Sequence, residues 1–249
     1  MASSYVVTGA ARGVGRAITE RLARDGHVVA VDLDARALAW AEQVEAITGV
    51  AGDAMDEPTL TEAVDLAAMN GTLVGWVNNA AVFRDAAVHD TSVEQVLELI
   101  TANLGLAVAG SSAAVRRFLA DGTGGAIVNV SSHQAQRAVP GALPYATAKA
   151  GIEGLTRALA VDYASRGIRV NAVALGSIMT ERYDERLDDQ LRQLHPLGRV
   201  GEGHDVASAV AYLLSTEASF ITGATIPVDG GRAALGQDPE ARDVTATST

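Results

Sequence analysis

From its start to about residue 228 the chain alternates short apolar runs with amphipathic stretches, and the apolar runs are continuous rather than every-other-residue. A strand reads that way when helices cover both faces of a parallel sheet; a strand with one wet face would alternate. Tyr5-Val6-Val7, residues 27–31, Val50-Ala51-Gly52, and residues 73–77, 126–130, 168–174 and 225–228 read as strands. Helices are expected over 15–25, where Ala17, Ile18 and Leu22 share a face, and over 35–47, 57–69, 93–119, 145–165 and 206–215. Repeated strand–helix–strand units predict an α/β fold of the Rossmann type, a doubly wound parallel sheet with helices on both sides.

The chain has 249 residues, 48% of them hydrophobic, enough for a sizeable core. No Pro/Gly/Ser-rich linker and no long-period repeat divides it, so residues 1–235 are expected to form one domain, with the polar, aperiodic stretch 236–249 as a loose tail. The net charge of −11 argues against nucleic acid, whose phosphates favour a basic face. The absence of cysteine removes disulfides, thiolate metal sites and cysteine nucleophiles. His89 and His195 have no second ligand at metal spacing, so no metal site is expected. With no basic leader before an apolar stretch and no run of about 18 apolar residues, a cytoplasmic protein without a membrane span is the expectation.

Thr8-Gly9-Ala10-Ala11-Arg12-Gly13-Val14-Gly15 joins the first strand to the first helix. Glycines let the backbone turn tightly and approach a ligand closely, and the unpaired N–H groups of a helix start suit a pyrophosphate. Three residues, not one, separate the first two glycines, so the spacing departs from the usual dinucleotide fingerprint, and a turn without a ligand is the alternative. Asp32 ends the second strand, where a carboxylate accepts hydrogen bonds from the adenosine ribose and repels a 2′-phosphate. Arg12 pulls the other way, since a guanidinium there would hold that phosphate. Direct contact with a like charge outweighs a mobile surface cation, so NAD is expected over NADP. Asp53, at the end of the third strand, reads as a partner of the adenine amino group or as a plain strand-end acid.

These segments, taken in order, resemble the short-chain dehydrogenase/reductase family. The turn from Thr8 to Gly15 is similar to the family's cofactor turn, Asn78-Asn79-Ala80 to the segment after its fourth strand, and Ser131-Ser132 followed by Tyr145-Ala146-Thr147-Ala148-Lys149 to its catalytic serine and Tyr-x-x-x-Lys. Arg169-Val170-Asn171-Ala172-Val173, Ile221-Thr222-Gly223 and Val228-Asp229-Gly230-Gly231 resemble its late signatures. Two positions depart from the pattern: Ala81 stands where the family usually has Gly, and Leu175 where it usually has Pro, which frees a φ angle and predicts a looser loop after it. The resemblance implies a seven-stranded sheet, a small-molecule alcohol or ketone as substrate, and commonly a homotetramer, with a homodimer as the smaller alternative. It implies cofactor contacts on Gly9, Arg12, Gly13 and Val14 at the turn, on Asp32, Leu33, Asp53 and Ala54 on the adenosine side, and on Asn79, Ala80, Tyr145, Lys149, Gly176 and Ile178 toward the nicotinamide.

Hydride transfer to a carbonyl leaves an oxygen that must gain a proton, and the reverse needs a base. Tyr145 is the candidate. A free phenol, with a pKa of about 10, is a poor base at neutral pH, but Lys149 at i+4 shares its helix face and would favour the phenolate. Ser132 would hold the substrate oxygen beside it. By resemblance Lys149 also bonds the nicotinamide ribose, and Asn103 occupies the position whose backbone anchors a water in a proton relay. Read singly, a Tyr–Lys pair is as readily a surface pair, Ser132 a strand end and Asn103 a polar kink; joined to the cofactor turn they read as a catalytic set. His133, next to Ser132, is expected to face the substrate. Residues 177–198 are expected to form one or two short helices with an apolar inner face, closing over the substrate. The sequence thus predicts an NAD-dependent oxidoreductase interconverting a secondary alcohol and a ketone. A catalytically silent NAD-sensing regulator, an NADP-dependent 3-oxoacyl-type reductase and a Rossmann-type methyltransferase are the alternatives. The Ala- and Val-rich helices over 93–119 and 145–165 offer faces for self-association.

Overall fold

A computed structural model of the chain describes residues 2–236; apart from Gly236, the expected tail lies outside the described residues. In chain order the elements are β1 (Ser3–Thr8), α1 (Gly13–Leu22), β2 (His27–Asp32), α2 (Ala35–Leu38), β3 (Ile47–Ala51), α3 (Glu57–Asn70), β4 (Thr72–Asn78), α4 (Val93–Asp121), β5 (Gly125–Ser132), α5 (Leu143–Tyr163), β6 (Ile168–Leu175), α6 (Asp188–Gln193), α7 (Gly203–Leu214) and β7 (Thr225–Val228). The strands form one parallel sheet in the order β3-β2-β1-β4-β5-β6-β7. Strand order reverses between β1 and β4, and in such sheets the crevice outside the carboxyl ends at the reversal is where ligands bind.

The continuous apolar strands bury both faces. On one side Val7, Val28 and Val128 pack against Ile18 and Leu22 of α1 and Val206 and Val210 of α7. On the other, Val6, Val29 and Ile127 meet Leu60 and Ala63 of α3 and Ala114 and Phe118 of α4. Local signals set the helix ends: the Asp56 carboxylate accepts from Thr59 N–H at the start of α3, and Ser92 Oγ accepts from Gln95 N–H at the start of α4. The Arg169 guanidinium donates to the Leu213 and Ser215 carbonyls that α7 leaves unpaired at its end.

One helix expectation fails. The expected helix over 35–47 stops at Leu38, continues as a single 3-10 turn to Gln43, and gives way to β3, which already includes Ile47. Pairing decides it: Ile47 aligns with Val28 and Val50 with Val31, and that ladder satisfies backbone groups that a longer helix would have taken. α4 is long and apolar enough, by length and composition, to cross a bilayer. One face of it, with Ala107, Ser111, Ala114 and Phe118, is buried, while 28% of its apolar stretch in all is covered.

A polar thread runs through the apolar layer between the sheet and the helices α4 and α5. Asn78 and Asn129 sit opposite each other on β4 and β5, both buried. Asn78 Oδ1 accepts from the Trp76 indole at 2.8 Å, and its Nδ2 lies 2.8 Å from Asn129 Oδ1 and 2.9 Å from Ser111 Oγ. Asn129 Nδ2 in turn donates to Thr156 Oγ1 of α5 at 2.9 Å. Unmade, such bonds would leave desolvated polar groups. Gly110 of α4 makes room for the thread: a Cβ there would lie 2.1 Å from Asn78 Oδ1 and 2.7 Å from Trp76 Nε1. Gly110→Ala is therefore expected to destabilise the fold by about 1–3 kcal/mol, although Gly→Ala inside an exposed helix usually stabilises; an unchanged or raised urea midpoint would show that the thread tolerates displacement.

Candidate active site

The loop from Gly9 to Arg12 leaves β1 at the order reversal and turns into α1. Gly9 has φ +65°, and a Cβ on it would lie 2.7 Å from Ala80 Cα. Gly15 packs closer still: a Cβ there would stand 2.0 Å from the Gly9 carbonyl oxygen. Asn79 Nδ2 donates to the carbonyls of Thr8 at 3.0 Å and Gly9 at 2.9 Å, while Thr8 Oγ1 accepts from the N–H groups of Asn79 and Ala80. The turn is thus fastened to the end of β4. Thr8 opens the turn named from the sequence, but its fastening role carried no signal beyond its place just before the first glycine.

Asp32 closes β2 with both oxygens engaged, accepting from Ala11 N–H at 2.9 Å and Asp34 N–H at 3.0 Å. Arg12 turns to Asp34, with Nη2 3.3 Å from Oδ2, so its charge is matched at the surface. Leu33 is largely exposed and Asp53 accepts from Met55 N–H; both line a cavity of about 710 Å³ that begins at the glycine turn. Ala54, Ala80, Gly176 and Ile178 line it further along, as do Gly13 and Val14.

At the other end of this cavity stand Ser132, Tyr145 and Lys149. β5 delivers Ser132 at its last residue, and the first turn of α5 delivers Tyr145, with Lys149 one turn on. Lys149 is 2% exposed, and its Nζ donates to the Val130 carbonyl at 2.6 Å and lies 5.3 Å from the Tyr145 ring centroid. Burial lowers its pKa to about 8. Burial also pushes the Tyr145 phenol up to about 12, opposed by a hydrogen bond with Ser132. Ser132 Oγ accepts from Gln134 N–H at 3.2 Å, which fixes the hydroxyl and leaves its proton to be given elsewhere.

Two expected site residues stand off the cavity. Asn103 is buried in α4 and its side chain clamps Val82, with Oδ1 accepting from Val82 N–H and Nδ2 donating to Val82 O, both at 2.9 Å. It holds the wall of the cavity rather than forming it. His133 is buried in the 3-10 turn that Ser132 caps and does not line the cavity. Among the described residues its Nδ1 has no hydrogen-bond partner, and burial, with Arg232 and His195 adding to it, lowers its pKa to about 4.

The segment after β6 forms a 3-10 turn at Glu185–Leu187 and then α6, the short helices expected there. Its base is pinned: Gly176 N–H donates to Val228 O, Ser177 N–H to His195 Nε2, and Met179 N–H to Gly201 O. The looseness expected from Leu175 is absent at this base because these bonds, not a proline ring, hold it. Farther out, Thr180, Glu181 and Arg182 line the cavity. The Glu181 carboxylate accepts from Gly13 N–H at 3.3 Å. Phe83, from the loop after β4, stacks on Tyr145 with centroids 5.1 Å apart. Neither Phe83 nor the contacts of Glu181 and Arg182 carried any sequence signal, since loop side chains follow no period.

Comparison with known proteins fits this geometry. The family profile described as Enoyl-(Acyl carrier protein) reductase matches residues 9–233. Glucose 1-dehydrogenase 2 of Bacillus subtilis is 35% identical over 240 residues, covering 91% of this chain and 93% of that protein. The 3-oxoacyl-(acyl-carrier-protein) reductase of Staphylococcus aureus is 37% identical over 244 residues, covering 93% and 98%. A solved structure assigned as a gluconate dehydrogenase of Agrobacterium tumefaciens superposes with a TM-score of 0.86 at 27% identity, over 94% of this chain and 96% of that one. The chain belongs to the short-chain dehydrogenase/reductase family of oxidoreductases, which work with a nicotinamide cofactor.

Proposed function

We propose that the protein interconverts a secondary alcohol and a ketone with NAD(H), with Tyr145 as the group that gives and takes the proton. One observation carries this reading: a single cavity has a glycine turn and a ribose-side carboxylate at one end and Ser132, Tyr145 and Lys149 at the other. The residues fit a dinucleotide. Gly9 and Gly15 are packed so tightly that no Cβ is accommodated, and Gly13 N–H, at the start of α1, already takes a carboxylate oxygen from Glu181, an acceptor of the kind a pyrophosphate offers. Gly9, Gly13 and Val14 would hold the phosphates, Asp32, Leu33, Asp53 and Ala54 the adenosine, and Asn79, Ala80, Lys149, Gly176 and Ile178 the nicotinamide half. Bound there, the cofactor supplies or accepts the hydride.

Tyr145 then manages the proton at the substrate oxygen. With its pKa near 12 it is protonated at neutral pH and suited to donate when a carbonyl is reduced. Accepting a proton requires the phenolate, which the nearby Lys149 ammonium favours. Ser132 donates to the same substrate oxygen and fixes its distance from the phenol. Asn103 serves as a positioning residue that holds the Val82–Phe83 wall.

NAD is favoured over NADP because Asp32 places a carboxylate at the ribose and Arg12, which would balance a 2′-phosphate, is engaged by Asp34. Reduction of 3-oxoacyl thioesters is the second reading, on the name of the Staphylococcus aureus relative. Exposed Leu97 and Val108 on α4 and Val161 on α5 support self-association as a homodimer or homotetramer; a monomer mass by light scattering would contradict it.

Tyr145→Phe is expected to cut turnover at least about 100-fold while NAD affinity changes little, and retained activity would remove Tyr145 from the mechanism. The Lys149 charge is present below its pKa of about 8 and lost above it. Ketone reduction should therefore hold steady through neutral pH and fall as pH rises past that value; a rate still climbing there would separate Lys149 from the step. For the cofactor, kcat/KM with NAD should exceed that with NADP. Asp32→Asn, which keeps an acceptor for Ala11 N–H but removes the charge, should narrow the ratio by roughly tenfold or more. A native preference for NADP would overturn the assignment.

A further inference from the structure

Beyond Tyr145 the cavity wall is a run of stacked side chains from separate parts of the chain. The Tyr145 ring lies 5.1 Å from the Phe83 ring, with 29° between their planes. The Arg182 guanidinium carbon lies 4.9 Å from the Phe83 centroid. All three line the cavity, and Phe83 is 60% exposed, an unusually open position for a phenyl ring.

The other two arginines of the neighbouring segment are paired within it. Arg186 pairs with Asp184 and Arg192 with Asp188. Glu181, next in sequence to Arg182, is turned to Gly13 at the cofactor end. Among the described residues Arg182 alone in this segment has no ion pair while lying on the cavity wall. A guanidinium stacked on a ring keeps its edge N–H groups free, and their planar fork matches a carboxylate. An isolated cation balances one negative charge, which favours a carboxylate over a phosphate dianion. The chain as a whole carries −11 and repels anions at a distance, so a local cation is what an anionic substrate would need at this point.

We propose that Arg182 and Phe83 select substrates bearing a carboxylate near the reacting centre: hydroxy acids or oxo acids rather than neutral alcohols or ketones. The inference rests on the reading of Tyr145 as the proton-transfer group. In the oxidative direction the alcohol carbon loses a hydride to the nicotinamide cofactor and its O–H proton to Tyr145; the carboxylate is unchanged and serves only as a handle. Phe83 forms the apolar floor between handle and reacting carbon, and Arg182 holds the handle.

The test is calorimetric titration of acetoacetate and levulinate, each against its methyl ester, into NADH-saturated protein carrying Tyr145→Phe, which slows turnover, with turnover of the unaltered enzyme followed by NADH absorbance. For at least one chain length the acid should bind about tenfold or more tighter than its ester, the size of one charge-assisted hydrogen bond. Arg182→Gln should bring the two together, and Arg182→Lys should retain part of the difference. Acids bound no tighter than esters at both lengths, or a preference unchanged in Arg182→Gln, would overturn the proposal. Turnover separates the two readings. Acid preference without turnover keeps the carboxylate site and removes the proton-transfer reading. Equal turnover of acids and esters keeps that reading and removes the carboxylate site.

Discussion

The site depends on the hydrogen bonds that tie the end of β1 to the end of β4. Strand order reverses there, so the two loops diverge and leave a crevice that the sheet alone would not hold in shape. Asn79 bridges it by donating to Thr8 and Gly9 carbonyls, and Thr8 answers by accepting from Asn79 and Ala80. The Thr8 and Gly9 carbonyls are thus satisfied by the protein itself. The turn can approach a ligand closely because Gly9 and Gly15 put no side chain in the gap.

The same economy governs the end of the cavity that holds Tyr145 and Lys149. Lys149 is buried among apolar neighbours with one carbonyl partner, so desolvation lowers its pKa into the range where its charge responds to modest changes of pH. Tyr145 is raised by the same desolvation. Burial thus works on both groups in the direction of neutrality, and a positive charge brought near the phenol tells more here than it would in water. The buried asparagine thread behind them, from Trp76 through Asn78 and Asn129 to Thr156, ties β5, which carries Ser132, to α5, which carries Tyr145.

Much of this was legible in the chain itself. The strands were found by their continuous apolar runs, the glycine turn and Asp32 by their place between and at the end of strands, and Ser132, Tyr145 and Lys149 by resemblance to the family's motifs. The helix expected over 35–47 failed because Ile47 pairs with Val28, a partner distant in sequence. His133 was expected at the substrate because it follows Ser132; the 3-10 turn carries it inward, and a one-residue step in an irregular turn has no periodic rule behind it. The partner of Arg12 carried no sequence signal: the Asp34 side chain engages its guanidinium in space.

By itself, then, the sequence determined the layered α/β fold and the glycine turn, which are written in periodicity and in spacing within one or two elements, and its ordered motifs pointed to Ser132, Tyr145 and Lys149. Tertiary structure alone decided what faces them. Phe83 and Arg182 lie 99 residues apart in the chain (182 − 83) and meet over Tyr145. Glu181 reaches Gly13 across a separation of 168 residues. Loops carry no repeat that would announce such meetings; the rigid sheet brings the ends of its strands to one edge, and packing there chooses which side chains touch.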